Sequence, residues 1–397
     1  MLILKNAKAI FPDRVREKNV IVKDGKIVDI CGRFDGRTEN AEIIDCGGLY
    51  LSPGFIDVHV HGGGGYSAMS GNPDDIIKMC EAHAWYGTTS ILPTTLAAPI
   101  GKIQKAMSAI DDAMGKCGKC NILGIHLEGP FLSQEMKGAQ SPENILAPSG
   151  HDPAELLDYS ENIKMMGAAP ETEGGFDLGL EISKRGIVAS VAHSNAVYDD
   201  IEKALEYGYS DVTHLYSACS SVTKVNLFRI GGVVEAALAL DGYTTQFIAD
   251  LRHLPAGILK LIYKCKGADK AYAITDGLEF SAMEIDEGGI YTQENGLATV
   301  YEDGVMKLAD RSCLAGSVAT CAKLVRNLYK SADIPLADAV RMATLTPASV
   351  SGVQKYKGKI SNGYDADLVL FDSDVNVKLV TVKGTVIRND TKKSGVK

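Results

Sequence analysis

The sequence predicts an α/β fold: a (β/α)8, TIM-like barrel carrying a small β-sandwich domain formed by the N- and C-terminal segments. Three observations lead there. Eight short apolar runs lie between Phe55 and Gly277, most of them separated by stretches long enough for a crossover helix. The segments at both ends of the chain instead alternate apolar and polar residues around tight-turn signals, the pattern of antiparallel strands. At 397 residues the chain exceeds one average domain, but it fits a barrel of about 250 residues with a small accessory unit. The expected division puts residues 1–52 and 355–397 in the β-sandwich domain and 53–354 in the barrel.

Taken in order, LILKNAKAIF and VREKNVIVKDGKIVDICG form the first β-segments, turning at Lys23-Asp24-Gly25-Lys26. ADLVLFDSD and VKLVTVKGTVIRND repeat that style near the C-terminus, turning at Lys383-Gly384, so one β-module is expected to close only when the two ends of the chain meet. Between them the barrel strands are FIDVHVH, TTSILPT, NILGIHLEG, IKMMGAAPE, GIVASVAHS, SDVTHLYS, TTQFIAD and AYAITDG. The first helix follows Asn72, a good N-cap, with Pro73 at the first helical position and Asp74 and Asp75 at the positive end of its dipole. After the eighth strand, residues 284–312 read as an inserted hairpin; helical patterns return in SVATCAKLVRNLYKSA and PLADAVRMATLTPASVSG.

The composition narrows the function classes. A net charge of −9 without long like-charge runs argues against a nucleic-acid surface, and only the tail KKSGVK is locally basic. No apolar stretch near the N-terminus approaches the roughly 20 residues of a membrane span, so a cytoplasmic protein without a membrane partner is expected. Nine scattered cysteines fit a reducing compartment better than a disulfide framework. Cys117 and Cys120 form a C-x-x-C, but the surrounding pattern is not that of a redox fold.

In a barrel of this kind the site lies where strands end, so the polar residues closing each apolar run carry the chemistry. His59 and His61 close the first strand, Glu128 the third, His193 the fifth, His214 the sixth and Asp276 the eighth. The two-residue period of a strand puts His59 and His61 on one face with Asp57, and Ile56, Val58 and Val60 on the other. A single histidine at a strand end is usually structural, and His83 and His151, on helix and loop patterns, are read that way. Several strand ends bearing imidazole or carboxylate at one level point instead to a divalent metal, zinc or iron(II). Held by Glu128, His193 and His214, such an ion keeps a position open for water and lowers the water's pKa toward about 7. Asp276 is then free to move that water's proton to a leaving group as the catalytic acid/base.

The motifs PGFIDVHVHGGGG, GIHLEGPFLSQEMKGAQ, VAHSNA, THLYSA, AITDG and LAGS stand in the order found in the N-acetylglucosamine-6-phosphate deacetylases, and the chain resembles that family of the amidohydrolase superfamily over nearly its whole length. The resemblance implies hydrolysis of the N-acetyl group of an amino-sugar 6-phosphate, with Glu128, His193 and His214 as metal ligands and Asp276 as acid/base. Members that keep H-x-H hold a second ion, so His59 and His61 imply one or two ions, with Glu128 as the bridging carboxylate. A bridging Glu128 also sets the chain apart from dihydroorotase-like barrels, where a carboxylated lysine bridges the metals. For the substrate the resemblance implies Ala139, Ser217, Ala218, Arg229, His253, Leu314, Ala315 and Gly316, and it implies a homodimer whose neighbour helps to bind phosphate. The family commonly has Asn where Ser217 stands, His where Gln140 stands, and D-G-x-H where this chain reads Asp250-Leu251-Arg252-His253. Rival readings are an N-acetylgalactosamine-6-phosphate or other acylated-amine deacetylase, and a catalytically silent sugar-phosphate-binding regulator.

Overall fold

The computed structural model describes residues 1–33 and 41–391; the basic tail KKSGVK lies outside them. All eight expected barrel strands form: Phe55–Val60, Thr88–Thr95, Ile125–Glu128, Ile163–Ala168, Val188–Val191, Tyr209–Val212, Thr244–Ile248 and Ala271–Ile274. Each pairs in parallel with the next in chain order. The ring is drawn closed by a parallel bridge between Val60 and Gly277 and by the Asp276 N–H donating to the His59 carbonyl at 3.0 Å. Leu123 and Gly124 split NILGIHLEG, leaving Asn121–Ile122 as a short separate pairing ahead of the third strand.

Helices fill the crossovers because the intervening sequence is amphipathic. In Pro73–Ala84 the Asn72 side chain accepts from the Asp74 N–H at 3.0 Å, and Ile76, Met79, Cys80 and Ala84 turn inward. Ile103, Ala106, Met107 and Ile110 do the same from Ile100–Ala113. These residues share one continuous apolar layer with the outward faces of the strands, including Ile91, Leu127 and Val191. Between the third and fourth strands the regular helix shrinks to Ala154–Leu157, and residues 129–153 run instead as loops and short 3-10 turns over the barrel mouth.

Both ends of the chain meet in one sheet. Its order is Thr385–Asn389, Val377–Val382, Leu368–Phe371, Tyr50–Pro53, Leu2–Phe11, Arg14–Lys23 and Lys26–Cys31, and Glu42–Asp45 also pairs with Leu2–Phe11. Leu4, Val20, Val22, Ile27, Leu51, Leu368, Leu370 and Leu379 pack into its own core. Tyr50–Pro53 joins the halves, antiparallel to Leu368–Phe371 and parallel to Leu2–Phe11. A buried ion triad locks the seam: the Lys357 ammonium lies 2.8 Å from Asp365 and 2.6 Å from Asp367.

Two expectations are corrected. The insertion after the eighth strand is a three-stranded sheet, Ile290–Thr292, Ala298–Glu302 and Val305–Leu308, because a second turn at Asp303-Gly304 adds a strand to the expected hairpin. The alternation in FIDVHVH is broken by a register shift between Asp57 and Val60, where the strand carries one residue more than its neighbour. Ile56 and Val58 keep one face as expected, packing with Leu92, Met165 and Tyr272, while Val60 leaves them for the larger apolar layer, and the Asp57 carboxylate accepts from the Thr275 hydroxyl at 2.5 Å, outside both histidine ligand groups.

Candidate metal centre

The strand ends bring six side chains to one point. The Glu128 Oε1 lies 2.9 Å from His214 Nε2, 3.1 Å from His193 Nε2 and 3.5 Å from His59 Nε2, while Oε2 lies 3.4 Å from His61 Nε2. Asp276 Oδ1 stands 3.1 Å from His61 Nε2 and 3.6 Å from His59 Nε2. Two ligand groups can be drawn from these atoms, His59 with Glu128 and His214, and His59 with His61 and Asp276. All six residues are buried apart from a partly exposed Asp276.

Local backbone geometry aims them. His193, His214 and Asp276 have φ of 46°, 27° and 48°, the left-handed region that non-glycine residues rarely enter. Each follows its strand by two residues, so the turn out of the sheet falls where the side chain must point across the barrel mouth. Strain of this kind persists where surrounding structure holds it, and it collects at functional sites.

The other ring nitrogen fixes which atom each histidine offers. His61 Nδ1 donates to the Thr94 carbonyl at 3.1 Å, His193 Nδ1 to the Met136 carbonyl at 2.8 Å, and His214 Nδ1 to the Ser217 carbonyl at 3.0 Å. His59 Nδ1 donates to Gln246 Oε1 at 3.1 Å, an orientation set by the Gln246 amide donating to Asp211 at 2.8 Å. With every Nδ1 protonated for an oxygen acceptor, each ring, when neutral, presents its Nε2 lone pair to carboxylate oxygens. His59 and His61 even face each other Nε2 to Nε2 at 3.2 Å. Acceptor against acceptor at such distances repels unless positive charge lies between them, so the donor set fits a divalent cation. An all-nitrogen-and-oxygen set without a thiolate suits zinc or iron(II) in an open site.

The electrostatics show the same demand for positive charge, here met by a proton. Burial alone would lower His61, but the hydrogen bond to Asp276 and the charge of Glu128 outweigh it and lift the imidazole to about 9. Burial likewise opposes ionisation of Asp276, yet its bond to His61 and the nearby His59 bring it down to about 2. Burial dominates at His59, whose pKa falls to about 4. Two ionised carboxylates in a closed site demand compensating positive charge, which a proton on His61 or a divalent ion in its place can supply.

Above these residues opens a cavity of about 410 Å³. Its walls include Ala139, Ser217, Ala218, His253, Leu314, Ala315 and Gly316, seven of the eight residues expected to meet substrate. His253 is held by Asp250, whose Oδ2 accepts from Nδ1 at 2.7 Å and whose Oδ1 accepts from the Arg252 and His253 N–H groups at 2.8 Å each. Burial would raise the Asp250 carboxyl, but the His253 hydrogen bond and charge hold it below the usual carboxylate range. Arg229 is the exception. It sits on the exposed hairpin of Thr223–Val225 and Phe228–Ile230, off the walls of its own chain's cavity.

His83 donates from Nε2 to the Gly62 carbonyl at 2.8 Å and lies outside both ligand groups, as does the exposed His151. Cys117 and Cys120 are free thiols, and burial pushes the Cys117 thiol up to about 12. Two contributions had no expected role: Gln140, whose amide donates to Glu128 Oε2 at 2.8 Å, and the insert, which places Gln293 and Asn295 on the cavity wall.

Comparison with known proteins matches residues 50–387 to the Amidohydrolase family. An N-acetylglucosamine-6-phosphate deacetylase of Lysinibacillus sphaericus is 30% identical over 393 residues, covering 98% of each chain. An N-acetylgalactosamine-6-phosphate deacetylase of Escherichia coli O157:H7 is 29% identical over 336 residues, 84% of this chain and 86% of that one. Among solved structures, the N-acetylglucosamine-6-phosphate deacetylase of Pasteurella multocida superposes with a TM-score of 0.90 at 31% identity, covering 98% of this chain and all of that one.

Proposed function

Because the chain belongs to the amidohydrolase family, we propose that it is a metal-dependent deacetylase that hydrolyses N-acetylglucosamine 6-phosphate to glucosamine 6-phosphate and acetate. The observation that carries this reading is the convergence of four imidazole Nε2 atoms on the Glu128 and Asp276 carboxylates at the floor of a cavity of about 410 Å³. The reading takes 53–354 as the catalytic barrel and 1–52 with 355–397 as the accessory domain.

Glu128, His193 and His214 would hold the first divalent ion, and His59 and His61 a second beside Asp276. When bound, zinc or iron(II) acidifies water and polarises the acetyl carbonyl. Asp276, ionised and at the rim of the cluster, takes a proton from the attacking water as its oxygen bonds to the carbonyl carbon. It then delivers that proton to the amide nitrogen as the C–N bond breaks, since an amine leaves only when protonated. His214, His193 and His61, fixed through Nδ1 by backbone carbonyls, keep their geometry through the cycle.

The sugar phosphate fits the opposite wall. Ser217, Ala218 and His253 supply donors there, and His253 is oriented for an anion by the Asp250 carboxylate on its far nitrogen. Ala139 and Leu314–Gly316 shape the space around the sugar. Arg229 belongs to this reading through a homodimer. Its hairpin exposes Val225, Leu227 and Phe228 by 53%, 81% and 73%, apolar surface suited to an interface, and a second copy would bring Arg229 to the phosphate end of its neighbour's cavity. A cytoplasmic setting accords with nine free thiols, and among the described residues no helix is long and apolar enough to cross a membrane.

Acetate release from N-acetylglucosamine, N-acetylgalactosamine and their 6-phosphates tests the assignment. The glucosamine 6-phosphate precursor should be hydrolysed fastest, and preference for the galactosamine epimer would reassign the sugar. Binding without any acetate release would mark a silent sugar-phosphate-binding protein.

A further inference from the structure

Gln140 occupies a special position between the metal cluster and the loop after the second strand. Its Oε1 accepts from the Ala97 N–H at 3.0 Å, and its Nε2 donates to Glu128 Oε2 at 2.8 Å. The first bond settles the second: a backbone N–H can meet only the oxygen of the amide, so the NH₂ must face the carboxylate. The Gln140 N–H is itself tied to the Lys137 carbonyl at 2.9 Å, and the side chain is 7% exposed. The donor is therefore rigidly placed.

The consequence lies in how Glu128 divides its two oxygens. Oε1 faces His59, His193 and His214, within 2.9–3.5 Å of each Nε2. Oε2 faces His61 at 3.4 Å, on the side of the second ligand group of His59, His61 and Asp276, but it already accepts from the Gln140 amide at 2.8 Å. A bridging carboxylate needs one oxygen for each ion. With one lone pair of Oε2 taken by the amide donor, Oε2 is the weaker ligand of the two oxygens, and the second ion depends mainly on His59, His61 and Asp276.

We propose that Gln140 is a positioning residue that weakens Glu128 Oε2 as a ligand, and so sets how tightly the second ion binds. This rests on the metal-dependent reading above. The residue acts on the ligand and not on substrate, so its effect is visible in metal binding without turnover. Gln140→Leu removes the amide, leaves Oε2 buried without a donor and makes it a stronger fourth ligand for the second ion. A carboxylate oxygen stripped of its hydrogen bond in a buried site gains most from a cation. The second equivalent should then bind about 10-fold more tightly, the size of an outer-shell effect but opposite in sign to the usual loss when such a partner is removed, while the first equivalent shifts much less.

The test is titration of metal-stripped protein with zinc, followed by calorimetry and a competing chelator, with cobalt(II) absorption reporting each site in turn. Gln140→Met, closer in volume and length, is measured beside Gln140→Leu so that loss of packing is separated from loss of the amide. The inference holds if both variants tighten the second equivalent and leave the first nearly unchanged. It is overturned if the second equivalent is unaltered, or if both equivalents weaken together with a lowered Tm, the signature of a general structural role. Failure of the wild-type protein to bind any zinc would instead remove the metal-dependent reading itself.

Discussion

Replacing Asp276 by asparagine isolates proton transfer from everything else at the site. The residue sits at φ 48°, a conformation asparagine adopts more readily than most residues, so the backbone should not object. Its N–H bonds the His59 carbonyl at 3.0 Å and its carbonyl accepts from the Ser317 N–H at 2.8 Å; neither bond involves the side chain. The asparagine carbonyl can still face His61, 3.1 Å from the present Oδ1, but it cannot carry a proton between water and the leaving nitrogen. General acid–base catalysis contributes about 10²–10⁴-fold, or about 3–5 kcal/mol of barrier. The Glu128, His193 and His214 set is untouched, so the first equivalent of metal should be retained. We expect kcat for acetate release to fall by about 10² or more, with the affinity for glucosamine 6-phosphate little changed by calorimetry. Near-normal turnover in a metal-replete Asp276→Asn protein would refute the assignment of the proton to this residue.

Three further outcomes follow from the structure. His214→Ala removes the ring nearest Glu128, at 2.9 Å, and should lose bound metal and activity together; normal metal content by mass spectrometry would contradict its role as a ligand. Arg229→Ala should raise KM for the 6-phosphate roughly 10- to 150-fold, the equivalent of about 1.5–3 kcal/mol for a hydrogen bond to a charged group, and leave the unphosphorylated sugar alone. Equal effects on both substrates would assign Arg229 to structure. Lys357→Met strands the buried Asp365 and Asp367 carboxylates and should cost about 3 kcal/mol of stability in denaturant unfolding, since Lys26 and Asn121 still bond them; an unchanged midpoint would show that the triad does not hold the seam.

The barrel was legible because each strand is a short apolar run ended by a turn, and the clustered histidines and carboxylates were legible because they end those runs. His193, His214 and Asp276 carry no local mark beyond that position, yet their left-handed backbone follows directly from it. What the periodicity could not reveal was the register shift at Asp57, which depends on the neighbouring strand and not on FIDVHVH itself. Gln140 was visible only as a departure from a family pattern, because its meaning depends on Ala97 and Glu128, 43 and 12 residues away. The third strand of the insert hid behind a second, tighter turn at Asp303-Gly304, where the first runs from Gln293 to Leu297. Arg229 shows the limit of reading residue types: its type fits a phosphate, but the hairpin that bears it does not line the cavity.

The central claim is that the cluster at the strand ends holds the ion on which deacetylation depends. Acetate release from N-acetylglucosamine 6-phosphate, measured while zinc or iron(II) is added stepwise to stripped protein, tests it most directly. Activity should be absent at the start and rise with the first equivalent bound. Full acetate release by the stripped protein, with no response to added metal, would contradict the account.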